Sequence, residues 1–221
     1  MKEILIIGSS GGLGAALVAA YSARGDRVLG LSRRGNGLDL TDPDSVDAQM
    51  GGLDRRFDRI ILATGGLSID GTGPEKTIKA ISAPAMMAQF ALNAVGPALV
   101  LRHAARLMPR DRPAVFAALS ARVGSIGDNR AGGWISYRSA KAALNQIIHT
   151  GAIELSRSHP QSVLVALHPG TVATGLSAAY LARYPAQSPQ QAAENLIGVI
   201  ETRRPSDSGG FFDWAGAAVP W

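Results

Sequence analysis

The sequence predicts an α/β protein built on a parallel sheet with helices on both faces. Three observations predict it. Short apolar runs rich in Ile, Val and Leu alternate with longer segments of helical periodicity. The apolar runs are continuous rather than alternating, as strands buried on both faces require. Glycines cluster between the apolar runs, where tight strand-to-helix turns need them. The 221 residues suffice for one domain with a sizeable core, and no linker, repeat or low-complexity tract divides them, so a single domain is expected over 1–221.

Taken in order, strands are expected at Ile4–Ile7, Arg27–Leu31, Arg59–Ala63, Ala114–Leu119 and Val163–Leu167, with a weaker one at Gly210–Phe212. Helices are expected near Gly12–Arg24, Pro43–Met50, Pro84–Met108, Tyr137–Ser158 and Pro189–Thr202. Two long loops, about Gly65–Ala83 and Ala173–Ser188, follow carboxyl ends of strands. Open α/β sheets bind ligands there, and long loops in compact domains are often functional.

Composition removes several function classes. With no cysteine, disulfides, thiolate metal sites and cysteine nucleophiles are excluded. The four histidines show no ligand spacing, so no metal is expected. The formal net charge of +5 is spread over scattered arginines and only 5% of residues are aromatic, which does not describe a nucleic-acid surface. The start, MKEILIIG, has too short an apolar run for a signal peptide, and no membrane span is expected. A cytoplasmic protein is the expectation.

The stretch IIGSSGGLGAAL closes the first strand and opens the first helix, with Gly8, Gly12 and Gly14 spaced G-x-x-x-G-x-G. Such glycines permit a tight turn, let backbone approach a pyrophosphate, and let helix pack on sheet. The helix N-terminus adds free N–H groups and the positive end of its dipole. No Gly-Lys-Ser/Thr follows, so this is not a P-loop. The second strand ends LGLSRR: Ser32, Arg33 and Arg34 stand where an NAD site usually carries an acid. Guanidinium groups there favour a 2′-phosphate, hence NADP(H), with NAD(H) as the other option.

In WISYRSAK, Tyr137 stands four residues before Lys141, so on a helix the two share a face. A phenol titrates near ~10 unperturbed, and a nearby ammonium would lower that value. An acid near neutral pH can protonate a carbonyl as hydride arrives. Asn93 lies in a long apolar helical pattern, four residues before Pro97. Proline lacks the N–H that would bond the carbonyl of residue 93, so a kink is expected there.

The glycine turn and Tyr137-x-x-x-Lys141 together resemble the short-chain dehydrogenase/reductase family, and the likeness runs almost end to end. LDLTD, LATGG, LNAVGP and LHPGTVATGL stand at the family's further motif positions. The stretch SARVGSIGDNRAGGWISYRSAKAALN and the terminal GGFFDW are most similar to the C-factor-like and small carbonyl reductase branch. The resemblance implies a doubly wound (Rossmann) sheet of six or seven strands. It implies a cofactor held by Gly8, Ser10, Gly12, Leu13 and Gly14, then by Ser32, Arg33, Arg34, Asp39 and Leu40. Ala63, Thr64, Gly65, Tyr137, Lys141, Pro169, Gly170, Val172 and Thr174 complete that set. Asp39 falls at the adenine-contacting position, although it also reads as a helix N-terminal acid; Thr174 reads either as a carboxamide contact or as a helix cap.

By the same resemblance, Tyr137 is the general acid, Lys141 also bonds the nicotinamide ribose, and Asn93 holds a water of the proton relay. The function implied is NADPH-dependent interconversion of a carbonyl and an alcohol. A homodimer or homotetramer is the family expectation. Three departures stand out. Few residues separate Arg34 from Asp39, so a third strand near Gly37–Leu40 should be rudimentary. The family's Asn-Asn-Ala-Gly is reduced to Ala63-Thr64-Gly65. Counting back from Gly124 puts Ala121 where the carbonyl-polarising serine belongs; Ser120 is the nominee to replace it, with Ser125 as comparison. Because of these departures, a nucleotide-binding signalling protein with little turnover is the second reading. Leu176, Tyr180, Leu181 and Tyr184 read either as a lid over an apolar substrate or as packing, and Trp134 is placed to line the same pocket.

Overall fold

Six parallel strands form one sheet in the order β2-β1-β3-β4-β5-β6 in the computed structural model, which describes residues 1–178 and 185–221. They are β1 (Glu3–Ile7), β2 (Arg27–Leu31), β3 (Arg59–Leu62), β4 (Ala114–Leu119), β5 (Ser162–His168) and β6 (Phe211–Asp213). Consecutive residues of β1 serve opposite faces, as strand geometry demands. Ile4 and Ile6 pack with Leu13 and Leu17 of α1 (Gly12–Ala23) and Leu196 and Ile200 of α8 (Pro189–Thr202). Leu5 and Ile7 join the other core, with Val46 and Met50 of α3 (Pro43–Gly51) and Leu144 and Ile148 of α7 (Ile135–Leu155).

The order of the strands decides where a ligand can go. The chain leaves β1 to build β2 on one side, then returns to build β3 on the other side. The crossovers diverge at this switch point and leave a crevice beyond the carboxyl ends of β1 and β3.

The expected third strand is absent. After a short helix α2 (Arg33–Asn36), Gly37 turns the chain with φ of 77° and no strand forms over residues 37–40. Leu38 and Leu40 are buried in the core all the same. Ser45 takes over the hydrogen bonds a neighbouring strand would make: its Oγ accepts from Asp39 N (3.0 Å) and donates to Gly37 O (3.0 Å).

The expected helix Pro84–Met108 is a chain of segments. These are α4 (Ala83–Phe90), one wide π-type turn over Ala91–Val95, α5 (Gly96–Leu101) and α6 (Ala104–Leu107). The wide turn carries Asn93 and ends just before Pro97, which cannot supply the regular i→i−4 bond. By length and composition alone, the continuous run Ala83–Leu101 is long and apolar enough to cross a membrane. It packs beside α7, and it buries Gln89 and Asn93, two polar residues that a core helix can satisfy. Tyr180, Leu181 and Tyr184 lie outside the described residues.

Candidate active site

A cavity of about 1000 Å³ opens at the switch point. The glycine turn forms its first wall. Gly8 has φ of 93°, and a Cβ on Gly14 would fall 2.1 Å from Gly8 O, so only glycines let α1 start this close to β1. α1 begins with no side-chain cap and no acid in its first turn. Its N-terminal N–H groups therefore suit an anion.

Ser32, Arg33 and Arg34 line the cavity at the end of β2. Ser32 Oγ accepts from Gly35 N (3.1 Å) and so caps α2. The Arg33 side chain is 80% exposed and lies 3.9 Å from Asp39, so it is available to a phosphate. Asp39 lines the cavity but does not cap α3; Asp42 does that, accepting from Asp44 N at 3.0 Å. The Asp39 carboxylate accepts from Thr41 Oγ1 (2.7 Å) and Thr41 N (2.9 Å), which together hold its pKa below the usual range. Leu40, Ala63, Thr64 and Gly65 form the next part of the wall. Thr64 Oγ1 is buried without a hydrogen-bond partner, an orphaned group of the kind a bound polar ligand relieves. Pro169, Gly170, Val172 and Thr174 line the far side, with the Thr174 methyl against Gly12, and Ser10 and Leu13 lie on the cavity as well. These residues fit a dinucleotide: a cleft of this volume, an open helix N-terminus for the pyrophosphate, and arginines at the end of β2.

Tyr137 and Lys141 line this cleft, and Asn93 lies buried behind Gly65 in its wall. Tyr137 is in the first turn of α7 and Lys141 one turn later; both are buried. Lys141 Nζ donates to Leu119 O (2.9 Å) and lies 6.0 Å from the Tyr137 ring centre. Gly65 is where the elements converge. A Cβ there would stand 3.0 Å from Asn93 Oδ1 and 3.2 Å from Lys141 Nζ, and its φ of 147° also favours glycine. The Asn93 side chain brackets Gly66, accepting from its N–H (3.1 Å) and donating to its carbonyl (2.9 Å). Asn93 Nδ2 also donates to Gln89 Oε1 (2.7 Å), and Gln89 donates to Leu67 O (2.9 Å). Trp134 lines the cavity and meets Tyr137 edge to face at 6.4 Å.

Two expectations need correction here. Lys141 was expected to lower the Tyr137 pKa, but burial dominates both groups: the phenol is pushed up to about 12 and the ammonium down to about 8. Two groups removed from water both favour their neutral forms. The second concerns Ser120. Its Oγ donates to Asn145 Oδ1 (2.6 Å), so in this arrangement its single proton is not available to polarise a carbonyl. Ser125 is no substitute, because its Oγ donates to Pro220 O (2.5 Å). Ala121 lines the cavity at the serine's expected place. Gln89 and Asn145 were missed by sequence reasoning. Gln89 carried a signal, four residues before Asn93 on one helix face, whereas Asn145 shows nothing in the sequence that ties it to Ser120.

The family model described as Enoyl-(Acyl carrier protein) reductase matches residues 11–204. A 1-hydroxy-2-glutathionyl-2-methyl-3-butene dehydrogenase of Rhodococcus sp. (strain AD45) is 28% identical over 236 residues, covering 100% of both chains. The C-signal protein of Myxococcus xanthus is 35% identical over 140 residues, 62% of this chain and 78% of that one. Among solved structures, a Burkholderia multivorans chain with bound NADP superposes with a TM-score of 0.81 at 26% identity, over 99% of each chain. NADPH-bound carbonyl reductase from chicken fatty liver has the same fold, with a TM-score of 0.81 at 22% identity over 99% of this chain and 98% of that one. A family match across most of the chain, joined to this end-to-end likeness, means that the protein belongs to the short-chain dehydrogenase/reductase family and is an NAD(P)-dependent oxidoreductase.

Proposed function

We propose that this chain uses NADP(H) to interconvert a ketone or aldehyde and its alcohol, with Tyr137 as the general acid or base. One observation carries the reading: Tyr137 and Lys141 line the same cleft that the glycine turn opens, and Asn93 and Lys141 both close on Gly65 in its wall. Bound there, the nicotinamide would supply or accept hydride. Arg33 and Arg34 would hold the 2′-phosphate, Gly12, Leu13 and Gly14 the pyrophosphate, and Lys141 the ribose beside the nicotinamide. Tyr137 Oη would pass its proton to the carbonyl oxygen. Burial keeps that phenol protonated in the free protein, which suits the reducing direction. The carbonyl would lie among Leu67, Leu92, Val123 and Trp134, an apolar and aromatic wall that suits an apolar substrate. Assembly as a homodimer or homotetramer is part of the proposal, supported by exposed Met87, Val95 and Ile153 on the helical run around Asn93 and on α7.

The absence of a serine at position 121 favours a second reading, a nucleotide-binding signalling protein of low turnover. Both are tested by following NADPH absorbance with a panel of ketones, aldehydes and diketones, beside fluorescence titrations of NADPH and NADH. The proposal expects consumption by the wild type and tighter binding of NADPH than of NADH. Tyr137→Phe should bind NADPH normally and lose on the order of 10²–10⁴-fold in rate. Binding without consumption across the panel would favour the signalling reading.

A further inference from the structure

The long loop between β3 and α4 contains a single buried residue between Leu67 and Gln89, and that residue is an acid, Glu75. A carboxylate leaves water at a cost unless donors surround it. The donors here come from the start of α7. Ser136 N donates to Glu75 Oε2 (3.2 Å), Ser136 Oγ donates to Oε1, and Trp134 N donates to the Glu75 backbone oxygen (2.6 Å). Burial alone would raise the Glu75 pKa, but hydrogen bonds from Ser136 and from the Glu75 backbone outweigh it and hold the group below the usual carboxylate range.

The helix needs such a partner. Its N-cap position is Trp134, which supplies no side-chain cap. The chain reaches α7 through three consecutive residues in the left-handed region, Gly132 (φ 63°), Gly133 (φ 65°) and Trp134 (φ 56°). For a bulky residue such as Trp134 that conformation is uncommon and persists only when neighbours hold it. Arg138 helps from inside the helix, with Nε donating to Gly133 O (2.9 Å). Glu75 grips residues 134 and 136, on both sides of Ile135, and Tyr137 comes next.

We infer that Glu75 is a positioning residue for catalysis: its carboxylate caps α7 from a distant loop and fixes where Tyr137 stands. The inference rests on the role proposed for Tyr137.

The test uses the full chain with 9,10-phenanthrenequinone and NADPH as probes. Glu75→Ala should lower kcat by about tenfold or more, as small misplacements of a catalytic group do. The KM for NADPH should stay within about twofold, since the loss is confined to the reacting end of the site. Glu75 also lines a cavity of about 250 Å³ with Ser136, so added sodium formate should restore part of the rate to Glu75→Ala and none to Tyr137→Phe. Independently of turnover, the Tyr137 phenol is followed by difference absorbance against Tyr137→Phe. Its titration should move from about 12 toward the ordinary value of 10.0 in Glu75→Ala. An unchanged kcat and an unchanged phenol titration would overturn the inference. So would a loss of kcat matched by an equal rise in KM with no formate rescue. If Glu75→Ala does not fold, Glu75→Gln, which keeps the shape and one acceptor, should show the same changes at smaller size, and no change there would overturn it. A wild type that binds NADPH but leaves the quinone unreduced would count against the proposed function, and the phenol titration would then decide the positioning role alone.

Discussion

At the scale of single residues, the site is defined as much by what Ala121 lacks as by what Tyr137 and Lys141 supply. A methyl group cannot donate a hydrogen bond to a developing oxyanion, and Ser120 is engaged by Asn145. Ala121→Ser should therefore raise kcat, by about tenfold or more, because one such donor can be worth on the order of a hundredfold. Steady-state NADPH oxidation reads this directly. Ser120→Ala should instead cost stability of about 1 kcal/mol with little loss of kcat, since it removes a buried bond to Asn145. Lys141 offers a pH signature. Its ordinary value is 10.5 and burial brings it to about 8, so the folded protein sheds this proton first. Between those values the unfolded chain binds more protons, and the Lys141 contribution to stability rises with pH. Urea titrations of wild type and Lys141→Met from pH 8 to 10.5 should show wild type gaining on the variant as pH rises. A difference that stays flat would mean that Lys141 is not desolvated.

At the scale of elements, the wide turn over Ala91–Val95 places the polar side chain of Asn93 within a largely apolar helical run. It lets Asn93 reach across to Gly66 and hold the β3–α4 loop beside Lys141. Asn93→Ala would leave the Gly66 N–H and carbonyl and the Gln89 amide without their partner. It should destabilise the fold by about 1–3 kcal/mol, the usual cost of leaving buried polar groups unpaired, and lower kcat at the same time. Thermal melts and turnover of the one variant check both. The break in this helix was legible from Pro97 alone, because a missing N–H is a local fact. The missing strand after β2 was legible only in part. Its shortness follows from the few residues between Arg34 and Asp39, but its replacement by Ser45 as hydrogen-bond partner depends on how α3 packs.

At the scale of the whole molecule, the strand order puts the cleft at the reversal between β1 and β3, and both faces of the sheet are buried by helices. What remains exposed and apolar includes Met87 at 71% and Val95 at 49% relative exposure. If the proposed assembly uses these helices, Met87→Glu with Val95→Glu should yield monomers by light scattering while the wild type scatters as a dimer or tetramer. Equal masses for both proteins would remove this face from the interface.

The sequence by itself determined the alternation of strands and helices, the glycine turn and the four-residue step from Tyr137 to Lys141. Each depends on neighbours a few residues apart, where backbone geometry links composition to shape. Only the tertiary structure decided that Ser120 bonds to Asn145, that burial rather than Lys141 governs the Tyr137 proton, and that Glu75 reaches α7 from 61 residues upstream. Those outcomes depend on which groups lose water and which distant donors meet them, and packing alone sets both.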